Sequence, residues 1–352
     1  MTEPRPFAPR PFRPAWWLPG AHAQTVAGRY VRPPHGVRYR RERIDTPDGD
    51  FLDLDFATVG GFPAPAADAP VCLVIHGLEG GSGSSYVLES CRALAERGMR
   101  AVGFNMRSCS GEPNRTPRFY HAGETGDLAL VLGLLAARHP DALLLAMGFS
   151  LGGNQLLKYL GEQGEASLVR AAVAVSVPFD LGRGADKLQR SLAGRLYALH
   201  FVRRLQAKYR AKLHLVDGLV DGERVLAARG FRDFDDAATA RLHDFDGAAG
   251  YYAACSSARF VHAVRVPTLL VQALDDPFVD DAGIPRAEIA ANPWIQTAFT
   301  PRGGHVGFIE GSPLRPRFWA EREGVRFLAE QAEPILHPPP PCRGAPNSRS
   351  HP

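Results

Sequence analysis

The stretch LLLAMGFSLGGNQLLKYL, residues 143–160, decides the fold. It begins with a short apolar run that is typical of a buried strand, continues into GFSLG (148–152), and ends in a helical pattern. A GxSxG motif between a strand and a helix places its serine on a sharp turn, and the two glycines let strand and helix approach closely. We therefore predict that Ser150 is a nucleophile. The plain alternative is an ordinary strand-to-helix turn without chemistry.

Strand-like and helix-like segments alternate on both sides of this motif. The strands are expected at residues 71–75, 101–105, 143–147, 171–177, 267–273 and 296–300, and the helices at 84–97, 124–137, 151–160 and 317–331. A turn signal at Pro47-Asp48-Gly49 predicts a hairpin formed by residues 39–46 and 51–57. This order predicts an α/β fold with a mostly parallel central sheet and helices on both faces.

The alternation is interrupted between residues 178 and 258, where helical stretches occur without a convincing buried strand. We interpret 178–258 as a helical lid insertion into a core formed by 37–177 and 259–332. The Pro- and Trp-rich residues 1–36 are expected to be an extension that packs on this core. The Pro-rich residues 333–352 are expected to be a disordered tail.

A serine nucleophile needs a base within hydrogen-bond reach and an acid that orients the base. With this motif, the acid and then the histidine follow the serine along the chain. Asp275 and Asp276 follow the strand predicted at 267–273, and spacing alone does not separate them. The plain alternative is that both simply cap a turn. His305 lies in the glycine-rich stretch GGHVGF (303–308). A histidine in such a loop is more often a surface residue, but the order Ser, Asp, His favours a catalytic base.

Acyl transfer also needs backbone N–H groups that stabilise a developing oxyanion. One candidate donor is the amide of Leu151, and the other is the amide of Leu78 in the stretch HGLEGGSGS (76–84). The alternative for this stretch is a phosphate-binding loop. It lacks the Lys and Ser/Thr ending of a P-loop as well as GxGxxG spacing, so a nucleotide site is not expected.

The composition of the 352 residues is typical of a globular protein, with 45% hydrophobic and 22% charged residues. The net charge is only +4, which does not indicate nucleic-acid binding. Five cysteines (72, 91, 109, 255 and 342) without a CxxC pair argue against a disulfide framework or a zinc site, and we expect reduced thiols in a cytoplasm. No apolar run reaches membrane-spanning length, and the first residues lack the apolar segment of a secretory signal.

Several longer motifs resemble one branch of a known superfamily, the YheT-type branch of the α/β-hydrolases. The motifs are WWLPGAHAQT (16–25), HGLEGGSGSSY (76–86), the segment 107–127, GFSLGGN (148–154), the segment 231–252, DDPFV (275–279) and GGHVGF (303–308). The resemblance covers roughly residues 12–332 and implies an α/β-hydrolase fold with esterase or lipase activity. It implies Ser150 as nucleophile, His305 as base and Asp276 as acid, since the acid in this branch directly precedes the proline of the turn. Ser108 departs from the branch, which is expected to have Gly there.

Together, residues and resemblance predict a serine hydrolase that cleaves a small-molecule or lipid ester through an acyl-enzyme, without a metal or other cofactor. The same triad would also suit acyl transfer to an alcohol, although the HxxxxD signature of some acyltransferases is absent from the chain. A second alternative is a catalytically silent binding protein, which usually lacks a member of the triad. The basic helix predicted at 195–213 suits contact with anionic lipid surfaces, and its plain alternative is a solvated lid face.

Overall fold

A computed structural model describes residues 4–32 and 36–336 of the chain. The strands are β1 (Val37–Asp45), β2 (Phe51–Val59), β3 (Val71–Ile75), β4 (Arg100–Asn105), β5 (Leu144–Phe149), β6 (Ala171–Val175), β7 (Thr268–Ala273), β8 (Ile295–Thr300), β9 (Ile309–Ser312) and β10 (Arg315–Phe318). The first eight form one sheet in the order β1-β2-β4-β3-β5-β6-β7-β8, and β9 pairs with β10 in a separate hairpin.

The large sheet is antiparallel only at one edge. β1 and β2 form the predicted hairpin, β2 pairs antiparallel with β4, and every pairing from β4 through β8 is parallel. The carboxyl ends of the parallel strands therefore lie together at one edge of the sheet, which is where open α/β sheets place their sites. The predicted α/β fold with a mostly parallel sheet is confirmed.

Thirteen α-helical segments are present in the described part of the chain. They are α1 (Gly20–Tyr30), α2 (Ser85–Ala95), α3 (Gly126–Arg138), α4 (Leu151–Gln163), α5 (Leu181–Gln189), α6 (Leu192–Ala211), α7 (Leu213–Val216), α8 (Gly222–Ala227), α9 (Phe231–Phe234), α10 (Ala240–Leu242), α11 (Gly247–Cys255), α12 (Arg286–Ala291) and α13 (Trp319–Leu336). The predicted core helices correspond to α2, α3, α4 and α13, whereas α1, α12 and the β9–β10 hairpin were not predicted.

Helices cover both faces of the sheet, which explains the continuous apolar runs of its strands. In β3, Val71, Leu73 and Ile75 pack in one hydrophobic cluster with residues of α3 and α4. Cys72 and Val74 pack on the opposite face with residues of α2 and α13. Alternate residues of a strand point to opposite faces, so a strand covered on both sides needs apolar residues at every position.

Residues 178–258, called the cap region below, contain the helices α5 to α11 and no strand. Part of the region has a hydrophobic cluster of its own, which includes Val202, Tyr209, Val225 and Phe234. The long helix α6 begins three residues before the predicted residue 195 and ends at Ala211, and α7 follows as a separate turn. The helical character of the lid insertion agrees with the prediction.

The N-terminal residues run along the core. The Phe7 ring packs edge-on against Phe327 with 5.2 Å between centroids, and Phe12 lies 5.7 Å from Phe308 and 5.5 Å from Trp319. Most of the tail predicted at 333–352 lies outside the described residues. Within the described ranges, no helix combines the length and the apolar character that crossing a lipid bilayer requires.

Candidate active site

Ser150 lies at the sharp turn between β5 and α4. Its φ is 52°, in the left-handed region, which costs a non-glycine residue about 1–2 kcal/mol. A Cβ on Gly148 would lie 2.5 Å from the Gly152 carbonyl oxygen, and one on Gly152 would overlap the carbonyl oxygens of Ile75 and His76. The motif therefore needs its glycines because strand and helix touch backbone to backbone.

The two adjacent aspartates after β7 have different partners. Asp276 is 1% exposed, its Oδ1 accepts a hydrogen bond from the Phe278 amide at 2.8 Å, and its Oδ2 faces His305. Asp275 instead accepts a hydrogen bond from the Gly304 amide at 2.9 Å. The structure thus separates two carboxylates that spacing leaves equivalent, since one faces the imidazole and the other supports the loop that carries it.

Ser150, His305 and Asp276 form one hydrogen-bonded row. His305 Nδ1 lies 2.8 Å from Asp276 Oδ2, and His305 Nε2 lies 2.9 Å from the Ser150 hydroxyl oxygen. Because a carboxylate only accepts, Nδ1 carries the proton and Nε2 accepts the hydroxyl proton of Ser150. The Phe278 ring stacks on the imidazole with 4.4 Å between centroids. A nucleophile, its base and an orienting acid require this arrangement.

Residues that sequence reasoning missed hold the His305 loop in place. The Thr25 hydroxyl in α1 accepts a hydrogen bond from the His305 amide at 2.8 Å, and the Ser176 hydroxyl accepts one from the Val306 amide at 3.0 Å. The resemblance of residues 16–25 to the YheT-type branch points to this segment but not to its role. The N-terminal helix therefore belongs to the support of the site.

The two amides predicted as oxyanion donors lie beside Ser150. Within the described ranges, neither the Leu78 amide nor the Leu151 amide donates a hydrogen bond to another residue. A Cβ on Gly77 would lie 3.0 Å from Ser150 Cβ, so the loop that carries Leu78 runs alongside the serine. Both amides are free for an oxygen atom bound at Ser150.

His76 holds this loop from the inside. Its Nδ1 lies 2.7 Å from the Gly77 carbonyl oxygen, and its Nε2 accepts a hydrogen bond from the Met106 amide at 3.2 Å. Burial lowers the pKa of His76 to about 4, so the imidazole is neutral and donates through Nδ1. The Gly77 carbonyl is thereby held inward, and the Leu78 amide, which shares its trans peptide unit, points the opposite way.

Ser150 and His305 line a cavity of about 1090 Å³ that the core and the cap region enclose together. Its apolar and aromatic lining side chains include Leu181, Ala185, Leu188, Leu196, Phe201, Leu205, Phe231, Tyr251, Tyr252 and Phe278. Two acidic residues, Glu79 and Asp235, also line the cavity, and burial raises the pKa of Asp235 to about 6. Apolar walls with a few polar groups are typical of small-molecule sites.

The segment 107–127, whose role the sequence left open, supports the β1–β2 hairpin turn. The Arg107 side chain is buried and pairs with Asp50 at 3.0 Å and with Asp127 at 2.7 Å. Ser108 has a φ of 60°, a conformation that glycine adopts without strain. The glycine expected from the resemblance therefore has a backbone reason, and Ser108 carries the strain instead.

Two lysines of the predicted basic helix point inward rather than toward solvent. Lys208 Nζ lies 2.9 Å from Glu79 Oε1, and Lys212 Nζ donates to Asn114 Oδ1 at 2.8 Å. The exposed basic residues of 195–213 are Arg195, Arg203 and Arg210. Lipid contact through this helix stays a prediction, and it depends on these three arginines.

Comparisons with known proteins identify the family. A family model described as the alpha/beta hydrolase fold matches residues 70–312. The chain is 37% identical over 324 residues to "Putative esterase YheT" of Escherichia coli (strain K12), covering 92% of this chain and 94% of that protein. It is 31% identical over 330 residues to phospholipase ABHD3 of Mus musculus, covering 93% and 80%. The solved structure of the Pyrococcus furiosus esterase Pf2001 has a similar fold, with a TM-score of 0.52, 14% identity and coverage of 84% and 92%. The chain therefore belongs to the α/β-hydrolase family, in the branch that includes YheT and ABHD3.

Proposed function

We propose that the protein is a serine hydrolase of carboxylic esters, with Ser150 as nucleophile, His305 as general base and Asp276 as the orienting acid. The observation that carries the proposal is the hydrogen-bonded row of these three side chains, open to the cavity. Relatives named as an esterase and as a phospholipase support an ester as the substrate. Acyl-transfer chemistry needs such a row together with free backbone donors.

In the first half-reaction, His305 Nε2 takes the hydroxyl proton while Ser150 Oγ attacks the ester carbonyl carbon. The carbonyl electron pair moves onto oxygen, and the amides of Leu78 and Leu151 donate hydrogen bonds to this oxyanion. The oxyanion then collapses, the bond to the alcohol oxygen breaks, and His305 gives its proton to the leaving alcohol. Asp276 stabilises the imidazolium between the two proton transfers.

In the second half-reaction, water takes the place of the alcohol. His305 accepts a proton from water as the oxygen attacks the acyl-enzyme, and it returns the proton to Ser150 Oγ when the acid leaves. One water is consumed, and one carboxylic acid and one alcohol are formed. His305 and Ser150 return to their starting protonation states.

The cavity favours an ester with an apolar acyl part. Most of its wall is apolar, α5 and α6 contribute several of the apolar side chains, and Ser150 and His305 supply the reacting end. We also propose that 178–258 acts as the roof over a core formed by 37–177 and 259–332. Burial of each methylene of an acyl chain against such a wall contributes about 0.8 kcal/mol.

Ser150→Ala tests the assignment directly. We expect turnover of a p-nitrophenyl ester to fall by about 10⁴-fold or more, and covalent labelling by a fluorophosphonate to disappear. Ser312→Ala, at an exposed position in β9, is the matched control and should keep both. Turnover at the wild-type rate in Ser150→Ala would end the assignment. A wild type that neither turns over esters nor takes the label would instead favour the catalytically silent binding protein.

Acyl transfer on the same triad is distinguished by its product. With an added alcohol, a hydrolase releases mainly free acid, whereas an acyltransferase releases mainly the new ester. A series of esters with increasing acyl length, compared with phospholipids in vesicles, then defines the substrate class.

A further inference from the structure

Glu79 lies in the turn that carries the Leu78 amide. The Gly80 amide donates to the Gly77 carbonyl oxygen at 3.0 Å, so residues 77–80 form a β-turn with Glu79 at its third position. The φ of Glu79 is 54°, in the left-handed region where turns favour Gly or Asn. A non-glycine residue stays in this region only where its surroundings hold it.

Side chains from two other parts of the chain form hydrogen bonds and ion pairs with Glu79, which is 4% exposed. The Tyr120 hydroxyl accepts a hydrogen bond from the Glu79 amide at 2.8 Å and donates one to Glu79 Oε1 at 2.7 Å. From α6, Lys208 Nζ lies 2.9 Å from Oε1, and Arg204 Nε lies 3.6 Å from Oε2. Arg204 also donates to the Glu79 carbonyl oxygen at 2.8 Å. The amide, the carbonyl and both carboxylate oxygens of Glu79 therefore have partners.

These contacts act together with His76 on the direction of the Leu78 amide. The Gly77 carbonyl and the Leu78 amide belong to one rigid peptide unit, and the Gly80 amide holds that carbonyl. A change of φ at Glu79 would withdraw the Gly80 amide and leave His76 Nδ1 as the remaining donor to that carbonyl, so the peptide unit would be held less firmly. An oxyanion donor that moves by about 1 Å loses much of its effect on the rate.

We infer that Glu79 is a positioning residue that holds the Leu78 amide toward the oxyanion, and that Lys208 and Arg204 make the cap region part of this support. The inference rests on the proposed ester hydrolysis. The two cations also offset the charge of a carboxylate that lines the same cavity as Ser150. Among the described residues that line the cavity, Arg204 is included and Lys208 is not, so Lys208 acts through Glu79 rather than on the substrate.

Substitutions at Glu79 test the inference by turnover of a p-nitrophenyl ester and by inhibition with a trifluoromethyl ketone, whose adduct with Ser150 carries an oxyanion. In Glu79→Gln we expect kcat to fall about tenfold, with KM within about twofold of wild type and with Ki of the ketone raised about tenfold. Glu79→Gly relieves the left-handed φ, so it should keep the fold and still lose the rate. A purely structural role would leave kcat and Ki unchanged in every variant that folds.

Variants of the residues that contact Glu79 distinguish positioning of the loop from neutralisation of the Glu79 carboxylate. Tyr120→Phe keeps the ring and should lower kcat by about threefold. Lys208→Met should lower kcat more than Glu79→Gln, because it leaves a carboxylate less neutralised beside the oxyanion, and adding Glu79→Gln should restore part of that loss. Arg224→Gln, which breaks an exposed ion pair with Asp236 in the cap region, is the matched control and should keep wild-type kcat.

Wild-type kcat and Ki in both Glu79 variants would overturn the inference, whatever happens to their melting temperatures. If Glu79→Gln does not fold, Glu79→Gly and Tyr120→Phe decide the question on the same two readouts. Failure of the proposed function gives a different result, namely no ester turnover by the wild type or wild-type turnover by Ser150→Ala.

Discussion

Two loops with proposed roles at Ser150, called the base loop (303–308) and the oxyanion loop (76–84), are supported by different parts of the molecule. Hydroxyl groups of Thr25 and Ser176 accept hydrogen bonds from amides of the base loop, and both belong to elements outside the cap region. The oxyanion loop is gripped at Glu79 by charged side chains of α6. The two hydroxyl groups that hold the base loop therefore lie outside the cap region, whereas the oxyanion loop is held from α6. The turn that carries Asp276 also has a contact from the cap region, because Lys187 Nζ in α5 donates to the Asp276 carbonyl oxygen at 2.7 Å.

This division has a consequence for substrate binding. On the proposed function, an acyl chain that fills the cavity would contact α6 at Leu196, Phe201 and Leu205, and α6 also carries the cations that hold Glu79. The position of the cap helix and the geometry of the oxyanion loop are therefore mechanically connected. The base loop has no comparable contact with α6 through ion pairs in the described part of the chain.

Asp276→Asn should cause the largest loss on the base side. The side-chain amide no longer fixes the Nδ1–H tautomer of His305 or stabilises its cation, so we expect kcat to fall by about 10⁴-fold. Asp275→Asn is the matched control one residue away. Its amide oxygen still accepts from the Gly304 amide, so we expect a loss within about fivefold. Equal losses in ester turnover by the two variants would contradict the role proposed for Asp276.

Gly152→Ala tests whether the stability of the core depends on the close approach of the α4 backbone to the backbone at the end of β3. The new Cβ overlaps the carbonyl oxygens of Ile75 and His76, which belong to main chain and cannot rotate away, so we expect the free energy of unfolding to fall by about 3 kcal/mol or more. At Gly133 in α3 a Cβ meets nothing within 4 Å, so Gly133→Ala should raise that free energy by about 0.5–1 kcal/mol. Urea unfolding measures the free energy of unfolding of both variants. A value for Gly152→Ala equal to that of the wild type would show that position 152 does not require glycine.

The sheet and two members of the hydrogen-bonded row, Ser150 and His305, could be located in the sequence because their signals are local. Each central strand is a continuous apolar run, and Ser150 directly follows one of them within a motif that strand–helix contact requires. His305 was predictable from its order in the chain and its glycine neighbours. The choice of Asp276 over Asp275 rested on the resemblance. The two residues are neighbours that both follow the strand, so spacing does not distinguish them.

The supports of the site were not predictable because they join distant residues through side chains. Tyr120 and Glu79 are 41 residues apart, and Arg204 and Glu79 are 125 residues apart, so no local period marks either pair. The β9 strand has only four residues, and α1 lacks the apolar periodicity that predicts a helix. Such contacts follow from the fold and appear only once it has formed.

The second inward lysine of the cap region, Lys212, sharpens the contrast between core and cap. It is buried just beyond the end of α6, where its Nζ donates to Asn114 Oδ1 at 2.8 Å and to the Arg118 carbonyl oxygen at 2.5 Å. Burial lowers its pKa from 10.5 to about 7, although Asp50 opposes the shift. Between these two pKa values the unfolded chain binds more protons than the folded protein. Stability from this site therefore rises with pH between about 7 and 10.5, and it is lost as pH falls through that window.

Lys212→Met should remove this dependence on pH. We expect the free energy of unfolding of the wild type, relative to the variant, to rise by about 1–2 kcal/mol between pH 7 and pH 9 in urea titrations. Arg210→Met, which removes an exposed cation from the last turn of α6, should instead give a curve parallel to that of the wild type. A constant difference between wild type and Lys212→Met would mean that Lys212 keeps its proton in the folded protein. Lys212 would then connect the cap region to the segment 107–127 as a charged side chain, just as the Lys208 ammonium group connects the cap region to Glu79.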